Sequence, residues 1–305
     1  MNRLFSIALI TAKAARDLDE DLPALVEALK QDDIRFEVVD WDDTAVEWSR
    51  FDLALLRSTW DYSQRLPEFF DWVTRVSKQT RLLNPASVIG WNTDKHYLAE
   101  LAAANVPVVA STFIEPDHAA DGSLRRFLDS NESMEFVVKP TVGAGSRDAQ
   151  RYGRDEIAAA QRHIQRLIDS QRSVLLQPYL NRVDEYGETA LIFFDGAFSH
   201  AIRKGPLLRR GEEPTRALFA AEHIVPRTPS ADEQELAAQT LKAMPFDRPL
   251  LYARVDLIQA DDGSPRVLEL ELTEPSLFFD HAAGSAQRFA RAIVKRARDR
   301  DREMA

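Results

Sequence analysis

The chain has 305 residues, 45% of them hydrophobic, with a formal net charge of -10 and no cysteine. That length holds two or three domains with real cores, and the acidic balance argues against nucleic acid as a partner, since phosphate binding needs basic patches. Without cysteine there are no disulfides, thiolate metal sites or cysteine nucleophiles, which suits a reducing, cytoplasmic compartment; no apolar stretch approaches the roughly 20 residues of a membrane-spanning helix.

Leu4–Ile10 predicts a buried first strand. Arg3 and the apolar run after it could imitate a short signal peptide, but the helix that follows would then have no sheet to cover. Leu18, Leu22, Leu25, Val26 and Leu29 recur at helical spacing. The segments 35–41 and 51–58 read as further strands, and Leu66, Phe69, Phe70, Val73 and Val76 mark another amphipathic helix. This alternation predicts a mostly parallel sheet covered by helices. A helix capped near Asn92 or Thr93 and a return to strand at 105–109 follow.

From residue 135 the pattern changes to strand, glycine-containing turn and strand, then a helix over 154–171 and a strand over 173–180. Segment 185–204 reads as an antiparallel hairpin turning at Asp195-Gly196. Residues 205–229 read as a long loop and 230–244 as a helix. Segment 250–272 reads as a second hairpin with its turn at 261–265. A last helix carries Phe289, Ala290, Ile293 and Ala297 on one face, and its charged tail from Lys295 reads as solvated.

The second hairpin carries the most chemistry. Alternation puts Leu268, Leu270 and Leu272 on one face and Val267, Glu269, Glu271 and Thr273 on the other. Glu269 and Glu271 are then about 7 Å apart, and pairing across the turn brings Asp256 to the same face. Such a triad suits a hard cation that shares its shell with phosphates, but a solvated strand face with unrelated acids fits equally well. The turn after Lys139, with Gly143, Gly145 and Ser146, could cradle phosphate or be an ordinary hairpin turn. It is neither a P-loop nor a dinucleotide fingerprint, because Asp148 stands at the third glycine position. Lys95, Arg203, Lys204 and Arg254 are further cations near strand ends, and no zinc or serine-nucleophile motif is present.

In order, these pieces resemble the ATP-grasp superfamily from about Asn84 to Leu277. The matching features are Lys95 in NTDKHYL, Lys139 before the glycine loop, LLQPYL at Leu175–Leu180, ARVD at Ala253–Asp256, and LELELTEPS. Glu271 stands where many members have asparagine. LRSTWDYS, RKGPLL and LELELTEPSLFF look like the ligases related to the cyclo-ligase of D-cycloserine biosynthesis, an O-ureido-serine cyclo-ligase type. Glutathione synthetase and the ribosomal-protein glutamate ligases are more distant.

The resemblance implies an α/β fold that becomes α+β in its ATP-binding part. Its expected divisions are an N-terminal α/β domain (1–110), a lid subdomain (111–179) and a C-terminal subdomain with the metal site (180–305). It implies an ADP-forming carboxylate–amine ligase or cyclo-ligase that makes an acyl phosphate of a small amino-acid-like acid. Its cofactors would be ATP and Mg²⁺, expected as two ions, with Mn²⁺ as substitute; a homodimer is common among similar ligases. Lys95, Lys139, Gly143, Gly145 and Ser146 would hold phosphates, and Gln177, Tyr179 and Leu180 the adenine. Asp256, Glu269 and Glu271 would hold metal; Arg254, Arg203 and Lys204 would be catalytic. Arg57, Ser58, Thr59, Trp60, Asp61 and Glu274 would meet the substrate, with the glycine loop and residues 205–229 as lids. Intermolecular amino-acid or peptide ligation, and a nucleotide-binding module without turnover, are the alternatives.

Overall fold

The computed structural model describes residues 5–31, 34–211 and 223–303. In the N-terminal part, β1 (Phe5–Thr11), α1 (Asp21–Leu29), β2 (Ile34–Asp40), β3 (Leu53–Ser58), α2 (Leu66–Val76), β4 (Arg81–Leu83) and α3 (Ala86–Asn92) form a parallel sheet with helices. Its order is β2-β1-β3-β4. The apolar run of β1 is explained by burial on both faces. Ile7 and Leu9 pack with α1, while Ala8 and Ile10 pack toward Phe69, Trp72 and Val76 of α2. Leu18 departs from the predicted helical face: it lies in a short turn before α1 and is exposed.

Next come α4 (Tyr97–Ala103), β5 (Thr112–Ile114), α5 (Ala120–Asp129), β6 (Glu135–Pro140), β7 (Gln150–Gly153), α6 (Ile157–Asp169) and β8 (Val174–Pro178). The strands make an antiparallel sheet, β5-β8-β6-β7, and α5 and α6 bury its apolar face. The helix expected near Asn92 is two helices, α3 and α4, with Lys95 in the break between them. The expected strand at 105–109 is a single bridge from Val108 to Val267.

The remainder contains α7 (Val183–Tyr186), β9 (Glu188–Phe194), β10 (Ala197–Lys204), β11 (Ile224–Arg227), α8 (Ala231–Lys242), β12 (Tyr252–Gln259), β13 (Pro265–Glu271) and α9 (Ser285–Glu303). Its antiparallel sheet has the order β11-β10-β9-β12-β13. Asp195 and Gly196 both have positive φ (51° and 79°), the backbone that a two-residue hairpin turn requires. The loop expected over 205–229 contains a strand: β11 pairs with β10, because Ile224–Arg227 offers a free edge its hydrogen bonds. Residues 212–222 of that expected lid lie outside the described residues. The C-terminal helix returns to the N-terminal part of the chain, where Phe289, Ile293 and Ala297 share one core with Leu25 and Leu29 of α1.

One register detail corrects the strand reading. Asp256 pairs with Glu269, but Leu257 pairs with Val267, so Leu268 is an extra residue in a β-bulge. The bulge reverses the alternation. Val267 joins Leu270 and Leu272 in the core, and Leu268 turns to the cavity that Glu269 and Glu271 also line.

Candidate active site

A cavity of about 740 Å³ is lined by strand residues of the two antiparallel sheets and by segments that connect the strands of the parallel sheet, among them Asp21, Trp60 and Tyr62. The break between α3 and α4 is docked by a hydrogen bond from the Lys95 amide to the Thr141 carbonyl, 3.0 Å, just beyond β6. This brings Lys95 beside Lys139, which leaves the end of β6. Lys139 Nζ lies 2.7 Å from Glu269 Oε1 and Lys95 Nζ lies 3.8 Å from Glu269 Oε2. Lys95 also donates to the Gly143 carbonyl at 3.4 Å. The glycine loop joins β6 to β7, so it is a hairpin turn whose Gly143, Gly145 and Ser146 also line the cavity. Gly145 and Ser146 both have positive φ, 62° and 59°. Gln177 in β8, and Tyr179 and Leu180 just after it, also line the cavity. The Tyr179 ring is fixed by the Arg151 guanidinium 3.5 Å from its centroid.

The acidic wall comes from β12 and β13. Register places Glu269 opposite Asp256 and Glu271 opposite Arg254. Asp256 accepts from Lys204 Nζ at 2.7 Å and from Arg254 Nε at 2.8 Å; Arg254 also pairs with Glu271, and Lys204 with Glu188. Burial acts to raise Asp256, but Arg254 and Lys204 outweigh it and hold the carboxyl well below the usual range. Burial likewise acts on Glu269, and Lys139 with Lys95 brings it down to about 2. Glu271 is raised, because burial exceeds the pull of Arg254. Burial pushes Glu188 up to about 8 despite Lys204.

These carboxylates fit a hard divalent cation by donor chemistry, because they offer only oxygen. They are not a ready-made cage. Among the described residues no group of three or more acidic or histidine side chains is positioned to hold a metal ion. Lys139, Lys204 and Arg254 occupy the oxygens that an ion would need.

The expected substrate residues divide. Trp60 and Glu274 line the cavity, and Trp60 Nε1 donates to the Glu274 carbonyl at 3.1 Å. Arg57, Ser58, Thr59 and Asp61 are not on its wall. Arg57 is 0% exposed, beneath the loop after β13, 3.4 Å from the Pro275 carbonyl and 3.7 Å from Asp21. Ser58 Oγ bonds Thr11 Oγ1 at 2.7 Å, Thr59 is fully buried, and Asp61 accepts from Trp41 Nε1 at 2.8 Å. Arg203 also points elsewhere, donating to the carbonyls of Tyr186 and Glu185, because its neighbour Lys204 takes the inward position on β10.

Several wall residues escaped the sequence reading. Asp21 accepts three backbone N–H groups, from Leu277, Phe278 and Phe279, and so fixes the loop carrying Ser276, Phe278 and Asp280. In the sequence it is one acid among four at a helix start. Glu188 carries no motif at all, and Tyr62 lies in LRSTWDYS without a role of its own there; the fold brings both to the cavity.

Residues 7–84 match the family described as D-cycloserine synthetase DcsG, N-terminal domain. The cycloserine biosynthesis protein DcsG of Streptomyces lavendulae is 43% identical over 295 residues, covering 95% of this chain and 98% of that protein. The chain belongs to the DcsG family. A crystal structure of D-cycloserine synthetase DcsG superposes with a TM-score of 0.89 at 42% identity, covering 96% of this chain and 99% of that one. The ATP-grasp ligase PsnB, in complex with minimal precursor, Mg and ADP, shares the fold at 18% identity and a TM-score of 0.63 over 96% of this chain and 98% of that one. The DcsG-family chain is therefore an enzyme of the ATP-grasp ligase fold. Among its described residues no helix is long and apolar enough to cross a membrane.

Proposed function

We propose that the protein is an ADP-forming cyclo-ligase that converts the carboxylate of an O-substituted serine, of the O-ureido-serine type, to an acyl phosphate and closes a ring on it. The observation that carries this is the meeting of Lys95, Lys139, Asp256, Glu269, Glu271 and Arg254 on one cavity, in a chain 43% identical to DcsG. ATP would lie with its adenine against Gln177–Leu180 and its phosphates against Lys95, Lys139 and the glycine loop. Asp256, Glu269 and Glu271 would hold Mg²⁺, as one ion or two, with Mn²⁺ able to replace it. When bound, the ion neutralises phosphate charge during phosphoryl transfer.

The chain's own residues do the rest. Lys139 and Lys95 leave Glu269 to hold the nucleotide phosphates. Arg254, pinned by Asp256 and Glu271, presents positive charge where oxyanion character develops as the nucleophile attacks. The glycine loop covers the water-sensitive acyl phosphate. We read the chain as three parts, 1–110, 111–179 and 180–305, each holding one of the three sheets, and place it in the cytoplasm, which suits a cysteine-free enzyme that uses ATP.

The test is ADP release over a panel of small carboxylates supplied singly and in pairs, with mass analysis of the product. ADP and a ring-closed product from a single O-substituted serine support cyclisation. A requirement for two acids would instead make it an intermolecular ligase.

A further inference from the structure

The three acids assigned to metal are each paired with a cation, but a fourth acid on the same cavity is not. Glu274 is 9% exposed and lines the cavity, yet no described cation forms an ion pair with it. Lys95 and Arg254 act on it only through space, while Glu271 repels it. Its position is nevertheless built. The Trp60 indole donates to its backbone carbonyl at 3.1 Å, and the Tyr62 hydroxyl acts electrostatically on its carboxylate. Both aromatic residues are buried and come from the turn after β3.

A buried acid without an ion pair is relieved by taking a proton or by a cation, and its place on a cavity wall, beside the lysines and Arg254, points to a cation that arrives with the substrate and displaces the proton. We propose that Glu274, oriented by Tyr62, is the receptor for the α-ammonium group of the amino-acid substrate. The assignment rests on the ligase reading above. The cavity is then polarised. Lys95, Lys139 and Arg254 take the phosphates and the reacting carboxylate at one end, and Glu274 takes the ammonium beside them. An α-amino acid bound this way turns its carboxylate toward the cationic end and its ammonium toward Glu274. Tyr62 is a positioning residue here: it fixes the carboxylate rather than touching the reacting atoms.

The experiment compares O-ureido-serine with its des-amino analogue, in which hydrogen replaces the α-ammonium, by ADP release in wild type, Glu274→Gln and Tyr62→Phe. Wild type should prefer the amine by about 100-fold in kcat/KM, because a site built around a polar group rejects the analogue lacking it. Glu274→Gln should reduce that preference to about threefold, through KM, with affinity for a fluorescent ATP analogue unchanged. Tyr62→Phe should fall between. A preference that survives in Glu274→Gln overturns the assignment while leaving the ligase reading intact. Weakened Mn²⁺ binding in Glu274→Gln also overturns it, by making Glu274 a metal ligand. If wild type releases no ADP with any amino acid, the ligase reading falls as well.

Discussion

Lys139 Nζ and Glu269 Oε1 are 2.7 Å apart, which puts the lysine proposed to hold phosphate on the acid proposed to hold metal. In this state the lysine and a divalent ion compete for one carboxylate. Nucleotide phosphates should draw Lys139 away and release the acid, so metal and nucleotide bind as one event. Lys139→Met should therefore bind Mn²⁺ without nucleotide roughly tenfold more tightly than wild type, about 1.4 kcal/mol, while binding ATP more weakly. Electron paramagnetic resonance titration of free Mn²⁺ reads this directly, and equal nucleotide-free affinities would refute the competition.

Glu274 predicts a pH signature. Burial and the repulsion of Glu271 raise it from 4.5 to about 8, so the native state holds a proton that the unfolded chain has lost. Stability then falls as pH rises from about 4.5 to 8, the sign that linkage requires when the native state binds more protons. Glu274→Gln removes this slope. Its melting temperature should rise relative to wild type between pH 5 and 8 and level off above. A constant difference across that range would mean that Glu274 titrates normally.

Arg57 should act on stability rather than on substrate affinity. It is buried behind the cavity, against Asp21 and the Pro275 carbonyl. Removing one member of a buried charge pair costs roughly 3–5 kcal/mol. Arg57→Ala should lower the melting temperature sharply, with KM for the acid unchanged in the protein that remains folded. A large rise in KM without loss of stability would return Arg57 to the substrate site.

The parts of the site legible in the sequence are those carried by local pattern. Lys139 before a glycine turn and Asp256 across from Glu269 follow from strand order and hairpin register, and both pairings are seen. The Leu268 side was misread because a bulge shifts parity without changing composition. Arg57 and Arg203 were misplaced for a related reason. A strand end fixes a region, whereas the direction of a long side chain depends on what packs over it, here the loop after β13 and the Tyr186 carbonyl. The roles of Asp21 and Tyr62 are not legible because their partners, Leu277 to Phe279 and Glu274, are more than 200 residues away in the chain.

The most direct test of the central claim is Mn²⁺ binding in the presence of a non-hydrolysable ATP analogue, compared between wild type and Glu269→Gln. Wild type should bind the ion with the nucleotide. The variant should lose roughly 100-fold in turnover and most of its nucleotide-dependent metal affinity, with its circular dichroism unchanged. Undiminished Mn²⁺ affinity and near-normal ADP release in Glu269→Gln would contradict the account.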